Sequence, residues 1–178
     1  MKQDIERVLY SEQELHETVR RLGAQISADY TGKNLLLVSI LKGAVVFMTD
    51  LMREITIPCS IDFMAVHSYS GTQSTGEVQI LKDLGMPIEG YDVLIVEDIL
   101  DSGRTLHYIM NLLQSRHPAS IRICTLFDKP SGRKADVTAD YVGMLVPDAF
   151  IVGYGLDYDE QYRNLPYIGI LKSEIYGG

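Results

Sequence analysis

Residues 93–105 read Val-Leu-Ile-Val-Glu-Asp-Ile-Leu-Asp-Ser-Gly-Arg-Thr, and this stretch constrains the chain more than any other. The apolar run Val93–Val96 has the look of a buried strand, and it delivers three carboxylates, Glu97, Asp98 and Asp101. Ser102-Gly103 turns the chain. Leu106, Ile109, Met110 and Leu113 then follow at i, i+3, i+4, i+7 spacing, which predicts an amphipathic helix starting at about Arg104. A strand that feeds a helix through so tight a turn is the unit of an α/β sheet. The helix N-terminus it creates carries unpaired backbone N–H groups and the positive end of the helix dipole, a ready seat for phosphate. Carboxylates beside a phosphate repel it, so they make sense only if they meet something else on the same ligand, such as sugar hydroxyls or a hard divalent cation. The competing reading is an ordinary buried strand with a solvated acidic turn. Three acids and a Gly-hydroxyl cradle at one strand-to-helix junction weigh against it.

The rest of the chain repeats the strand–helix alternation. Ser11 with Glu14 three residues on forms a capping box, and Leu15, Val19, Leu22 and Ile26 keep helical spacing, predicting a helix over about 11–28. Leu35–Ile40 is nearly all apolar, as suits a strand covered on both faces in a parallel sheet. A helix is expected from Gly43 to Ile55, and strands over 61–66, 78–81, 93–97 and 121–127, with helix 105–116 between the last two. Tyr141–Gly143 and Phe150–Gly153 are further strand candidates, and 128–138 reads as polar turn. Residues 68–76 contain two glycines and no apolar periodicity, so they read as a mobile loop. Such alternation predicts a parallel α/β sheet with right-handed crossovers and ligands at the C-terminal ends of the strands. No repeat or linker divides the 178 residues, enough for one domain.

Composition narrows the function. A net charge of −8 argues against a broad nucleic-acid surface, which favours a basic face. The N-terminus carries no apolar signal segment, and no apolar run approaches the length of a bilayer span, so a cytoplasmic protein with no membrane partner is expected. Cys59 and Cys124 lie in strand-like segments. A disulfide is arithmetically open, and two buried free thiols in a reducing compartment are the expected state. The four histidines, at 16, 67, 107 and 117, show no zinc-ligand spacing, and His16 and His107 are expected in solvent.

Three more places carry chemistry. Leu41-Lys42-Gly43 sits at a strand-to-helix turn, where Lys and Gly suit an anion but a solvated turn lysine reads equally well. Asp128-Lys129-Pro130 follows a strand and would lie at the C-terminal edge of the sheet, and by itself it reads as a polar turn. Residues 147–158 run Pro-Asp-Ala-Phe-Ile-Val-Gly-Tyr-Gly-Leu-Asp-Tyr. Within them, taken by themselves, Phe150 reads as a core aromatic and Asp157 as a solvated turn acid. Gly153-x-Gly155 lacks the third glycine and following helix of a dinucleotide fingerprint.

The stretch 93–105 resembles the ribose-phosphate signature of the phosphoribosyltransferases, which use 5-phosphoribosyl-1-pyrophosphate (PRPP). Leu41-Lys42-Gly43, Asp128-Lys129 and 147–158 resemble their hypoxanthine-guanine branch, and the likeness runs from about residue 35 to about 170. It implies a single domain over 1–178 of the type I phosphoribosyltransferase fold: a twisted parallel sheet flanked by helices, with a core over about 30–140. A small base-binding hood is drawn from the N- and C-terminal segments. It implies that Glu97 and Asp98 meet the ribose hydroxyls and metal region, and that Ser102, Gly103, Arg104 and Thr105 hold the 5′-phosphate. Lys42 and Gly43, with a cis peptide before Lys42, and Arg163 would bind pyrophosphate. Lys129 would donate to the purine 6-oxo group, Phe150 stack on the base, Ile151 read it through the backbone, and Asp157 reach the metal. Ser68-Tyr69 would open a catalytic lid, and Asp101 would be the general base.

The implied reaction is Mg²⁺-dependent transfer of the phosphoribosyl group from PRPP to N9 of hypoxanthine or guanine. It gives IMP or GMP and pyrophosphate, the chemistry of purine salvage. Glu97, Asp98 and Asp157 are the candidate metal contacts, with PRPP supplying most of the ligands. A homodimer or homotetramer is implied too. An RNA-binding pyrimidine-operon attenuator on the same scaffold is the alternative from another class, and the charge of −8 speaks against it. An orotate or adenine enzyme is a third reading. Against adenine stands Lys129, whose donor-only ammonium cannot accept from a 6-amino group.

Overall fold

The computed structural model describes residues 1–68 and 78–177. Its centre is a six-stranded sheet of β2 (Leu35–Leu41), β3 (Cys59–Ser68), β4 (Val78–Lys82), β5 (Asp92–Leu100), β6 (Ser120–Asp128) and β7 (Tyr141–Leu145), in the order β4-β3-β2-β5-β6-β7. All neighbours pair in parallel except β4, an antiparallel edge strand on β3. The apolar runs explain themselves here. Leu35 and Leu37 belong to one buried cluster, with Leu15, Val19, Leu22 and Ile26 of α1 (Glu12–Asp29) and Phe47, Met48 and Leu51 of α2 (Val45–Glu54). Leu36, Val38 and Ile40 belong to another, with Leu106, Ile109 and Leu113 of α3 (Arg104–Gln114). Successive strand residues thus face opposite layers, and both layers are apolar, so no polar alternation survives.

Strand order reverses between β2 and β5. From β2 the chain moves outward to β3, and from β5 it moves the other way through β6 to β7. The ends of β2 and β5 therefore leave a crevice between them, the place where open α/β sheets bind ligands. Leu41-Lys42-Gly43 leaves one strand there, and Glu97 and Asp98 lie at the end of the other.

A second, three-stranded sheet joins the two ends of the chain, in the order β1-β9-β8, from β1 (Ile5–Tyr10), β8 (Ile151–Val152) and β9 (Ile168–Leu171). Its pairs are antiparallel, Ile5 opposite Leu171 and Ile151 opposite Ile170. A short helix, α4 (Ser173–Tyr176), follows. This sheet is fastened to the main body by the Tyr154 hydroxyl, which donates to the Asp50 carboxylate on α2, and by Tyr10, whose hydroxyl donates to the Leu145 carbonyl at 2.6 Å. Ile151, Ile168 and Ile170 continue the α1–α2 side of the core.

Several expectations need correction. β5 does not stop at Glu97 but runs to Leu100, because Ile99 and Leu100 still pair with Phe127 and Asp128. Asp98 is therefore a strand residue, as Glu97 was expected to be. The helix expected from Gly43 begins at Val45, and only Ile151 and Val152 of the expected strand 150–153 pair with β9. Both thiols are free, but Cys59 is only half-buried while Cys124 is fully enclosed. His16 and His107 are exposed, as expected. Among the described residues no helix is long and apolar enough to cross a membrane.

Candidate active site

The phosphate-seat candidate is built at the entry to α3. Gly103 is the N-cap, in left-handed conformation at φ +76°, and no side-chain hydrogen bond caps the helix. A Cβ there would lie 3.3 Å from Arg133 Cδ and would also carry the strain of that φ, so glycine suits the position twice over. Ser102 Oγ is 3.5 Å from the Arg104 N–H, a long contact, while the Ser102 carbonyl accepts from Lys134 and Ala135 N–H at 2.9 and 3.0 Å. The stretch 128–137 is thereby laid against the loop. Arg133 completes the junction: its guanidinium donates to the carbonyls of Asp101, Leu100 and Val137 and pairs with the Asp128 carboxylate. Asp101 itself is exposed, its carboxylate lying against Gly132, where a Cβ would meet Oδ1 at 1.6 Å.

Glu97 and Asp98 stand side by side at the end of β5. Asp98 is buried, at 7% exposure, and accepts from the Ile99 N–H at 2.7 Å. Glu97 is half-buried. Burial, and then the neighbouring Asp98 charge, push Glu97 well above the usual carboxylate range. Burial also raises Asp98, opposed by hydrogen bonds from Glu97 and Ile99 and by the charge of Arg163. The pair is thus disposed to keep a proton on Glu97 when no cation or ligand is near.

Across the crevice, Leu41–Lys42 is a cis peptide, as the resemblance implies. Gly43 lies directly against Asp98: a Cβ on Gly43 would sit 2.0 Å from Asp98 Oδ2 and 3.4 Å from the Gly155 carbonyl. Conversely, a Cβ on Gly155, at φ +99°, would sit 2.1 Å from the Gly43 carbonyl. Two glycines therefore let three backbone segments meet where no side chain would fit. Arg163 closes this corner, donating to Gly155 O and pairing with Asp157 Oδ1, at 2.8 and 2.9 Å. Its Nε is buried and finds no partner among the described residues. Lys42 Nζ pairs with Glu160 Oε2 at 2.9 Å, and that hydrogen bond holds Glu160 below the usual carboxylate range.

The base-site candidates gather beyond β6 and β8. Lys129 follows β6, its N–H bonded to Leu100 O at 3.0 Å, and its Nζ pairs with Asp148 Oδ1, also at 3.0 Å. Phe150 is 37% exposed, not a core aromatic. It stacks on Tyr176 of α4 at 4.8 Å and meets Tyr158 edge-on at 5.5 Å. Ile151 is buried in β8 beside it. Of the lid candidates, Ser68 ends β3, and Tyr69 with the rest of that stretch lies outside the described residues.

The carboxylates do not converge on one point. Among the described residues no three His, Cys, Asp or Glu side chains could hold a metal together. What Glu97, Asp98 and Asp157 offer is oxygen only, the donor chemistry of a hard cation that takes its other ligands from substrate. Glu160, Arg133 and Asp148 were given no role from the sequence, although Asp148 lies within the 147–158 stretch. Each is a charged residue in a turn, a pattern that solvated residues share. Spacing was the one available hint for Glu160, three residues from both Asp157 and Arg163.

A family profile described as "Phosphoribosyl transferase domain" matches residues 8–159. The hypoxanthine-guanine phosphoribosyltransferase of Staphylococcus aureus (strain N315) is 58% identical over 177 residues, covering 99% of both chains. The bifunctional protein TilS/HprT of Listeria innocua is 57% identical over 99% of this chain, which spans only 27% of that longer relative. The crystal structure of a hypoxanthine phosphoribosyltransferase from Staphylococcus aureus (tetragonal form) superimposes with a TM-score of 0.97 at 57% identity, covering 100% of this chain and 97% of that one.

Proposed function

The chain belongs to the phosphoribosyltransferases, in their hypoxanthine-guanine branch, and from that premise we propose that it joins a 6-oxopurine to PRPP. The products are IMP or GMP and pyrophosphate. One observation carries the reading. Gly43 packs against the Asp98 carboxylate and against Gly155, which gathers the Lys42 turn, the buried acids and the Asp157–Arg163 segment at the switch point of the sheet. The open N-terminus of α3 follows β5 directly.

In this reading the 5′-phosphate sits on the first turn of α3, with Ser102, Gly103, Arg104 and Thr105 around it. Glu97 and Asp98 take the ribose hydroxyls, which can donate to them without adding charge. Lys42 and Arg163 hold the pyrophosphate. Lys129 donates to the 6-oxo group, Phe150 stacks on the base, and Ile151 meets its edge through the backbone. As N9 bonds to C1 of the ribose, the bond from C1 to pyrophosphate breaks and Asp101 takes the N7 proton. The positive charge that gathers on the ribose ring lies near the half-buried Glu97 and the buried Asp98, and it is stabilised where water is scarce. PRPP would supply most of the Mg²⁺ ligands and Asp157 the protein's own contribution, and the ion would neutralise the leaving group.

A spectrophotometric assay with PRPP and Mg²⁺ against hypoxanthine, guanine, xanthine and adenine tests this. Turnover of hypoxanthine or guanine, with adenine inert, is the expected result. Turnover confined to adenine, or none with any purine, contradicts it. The homo-oligomer implied by the resemblance is checked by light scattering.

A further inference from the structure

Two cations assigned above to one ligand group are already bridged by one carboxylate. Glu160 reaches Lys42 Nζ with Oε2 at 2.9 Å and Arg163 Nη2 with Oε1 at 3.4 Å. Lys42 comes from the turn after β2 and Arg163 from the C-terminal segment, and among the described residues Glu160 is the acid whose side chain touches both. Its position is built, not incidental. Tyr158 and Gln161 exchange N–H···O bonds of 3.2 and 3.0 Å, closing a two-residue turn on Asp159 and Glu160. Both turn residues lie at positive φ, +50° and +61°. Glycine and asparagine are the usual occupants of such a turn, and a Glu there is a local misfit of the kind that gathers at functional sites. The Asp157 carboxylate fixes the turn by accepting from the Glu160 N–H at 2.9 Å. Arg163 still has a buried Nε–H without a partner among the described residues, so the carboxylate does not exhaust its donors.

We propose that Glu160 is an internal stand-in for pyrophosphate: it closes on Lys42 and Arg163 when the site is free and is displaced when the pyrophosphate group arrives. This rests on the reading of Lys42 and Arg163 as the pyrophosphate-binding cations. A carboxylate satisfies both cations without filling the site, and as pyrophosphate departs it offers them a replacement anion. Affinity for the leaving group is lowered and its release is eased. Lys42 and Glu160 are both largely exposed, so the competition is modest and sensitive to salt. Glu160 is thus a positioning residue that acts through Lys42 and Arg163 and never touches the reacting atoms.

The test is titration calorimetry of pyrophosphate with Mg²⁺ into wild type, Glu160→Gln and Glu160→Asn. Gln keeps the length and drops the charge; Asn suits the left-handed turn and cannot reach the cations. Both variants should bind pyrophosphate about threefold to tenfold more tightly at low ionic strength, with the gap shrinking in high salt. In assay, KM for PRPP and the inhibition constant of pyrophosphate should fall with them. A purely structural salt bridge would leave affinity unchanged and lower the melting temperature of Glu160→Asn. The proposal instead expects that melting temperature to hold or rise, because the turn is relieved. Unchanged or weaker pyrophosphate binding in both variants, with wild-type binding intact, overturns the proposal alone. Failure of wild type to bind pyrophosphate overturns it together with the reading of the site.

Discussion

Two helices of this molecule begin in opposite ways. α1 is closed by its own residues: Ser11 Oγ accepts from the Glu14 N–H, and the Glu14 carboxylate accepts from the Ser11 N–H at 2.8 Å. α3 begins at a left-handed glycine that offers no side-chain cap, and among the described residues only the long Ser102 Oγ contact reaches its first N–H. Both helices pack an apolar stripe on the same sheet, so the difference is not one of burial. Every α-helix starts with unpaired N–H groups, and a chain can satisfy them from within or leave them for a ligand. The first choice stabilises the fold. The second, in the proposed reading, leaves that stabilisation for a phosphate to supply. The acids beside α3 follow the same logic, because burying Glu97 next to Asp98 costs stability until a ligand or cation meets them.

The comparison predicts that damage at the two ends separates stability from activity. The largest effect should be Asp101→Asn, which removes the proposed base from the α3 entry. We expect kcat to fall by about a hundredfold or more while PRPP affinity and melting temperature stay near wild type. An Asn variant with parental kcat, under conditions where chemistry limits turnover, removes Asp101 from the mechanism.

Next comes a transplant of the α1 device. Gly103→Asp puts a carboxylate at the α3 N-cap, and PRPP affinity should fall by about tenfold or more because the added charge opposes the 5′-phosphate. The Arg133 side chain, 3.3 Å from the new Cβ, must shift slightly. Undiminished PRPP affinity, read by calorimetry, would mean the phosphate lies elsewhere.

A smaller effect, of opposite sign for stability, should follow from Glu97→Gln. With its folded-state pKa raised, Glu97 contributes fully only below the unfolded carboxyl value near 4.5, and stability drains away as pH rises through the folded value. Gln mimics the protonated form and escapes that loss. Its melting temperature should therefore exceed wild type by a margin that widens from pH 5 to 8. At the upper end the margin should be on the order of 1 kcal/mol, or about 2–4 °C, at the expense of activity. A margin independent of pH contradicts the burial argument. The smallest effect belongs to α1: Ser11→Ala should cost about 1 kcal/mol of stability and leave kcat untouched. A loss of turnover there would erase the distinction between the two ends.

Much of this was legible in the residues because it is local. The capping box at Ser11 and Glu14, the apolar runs of β2 and β5, and the strand–turn–helix at 93–113 all lie within one element or one turn. What was not legible depends on distant partners. β1 and β9 escaped notice because each is short, and Val8 is 52% exposed; they become strands only by pairing Ile5 with Leu171 across the whole chain. β5 outran its expected end because β6 extends with it, which no feature of residues 97–100 announces. Lys42, Lys129 and Arg163 could be named as cations. Their partners Glu160 and Asp148, and the Arg133 brace on Asp101, could not, since an exposed acid or a turn arginine looks the same with or without a partner.

The contrast between the two helix ends meets its most direct test in one pair of titrations: IMP against inosine, by calorimetry, on the wild-type chain. The two ligands share base and ribose and differ only in the 5′-phosphate. If the open end of α3 is a phosphate seat, IMP should bind at least about a hundredfold more tightly than inosine, the scale of several charge-assisted hydrogen bonds. Equal affinity for the two would mean that the α3 entry holds no phosphate, and the account of this site would fall with it.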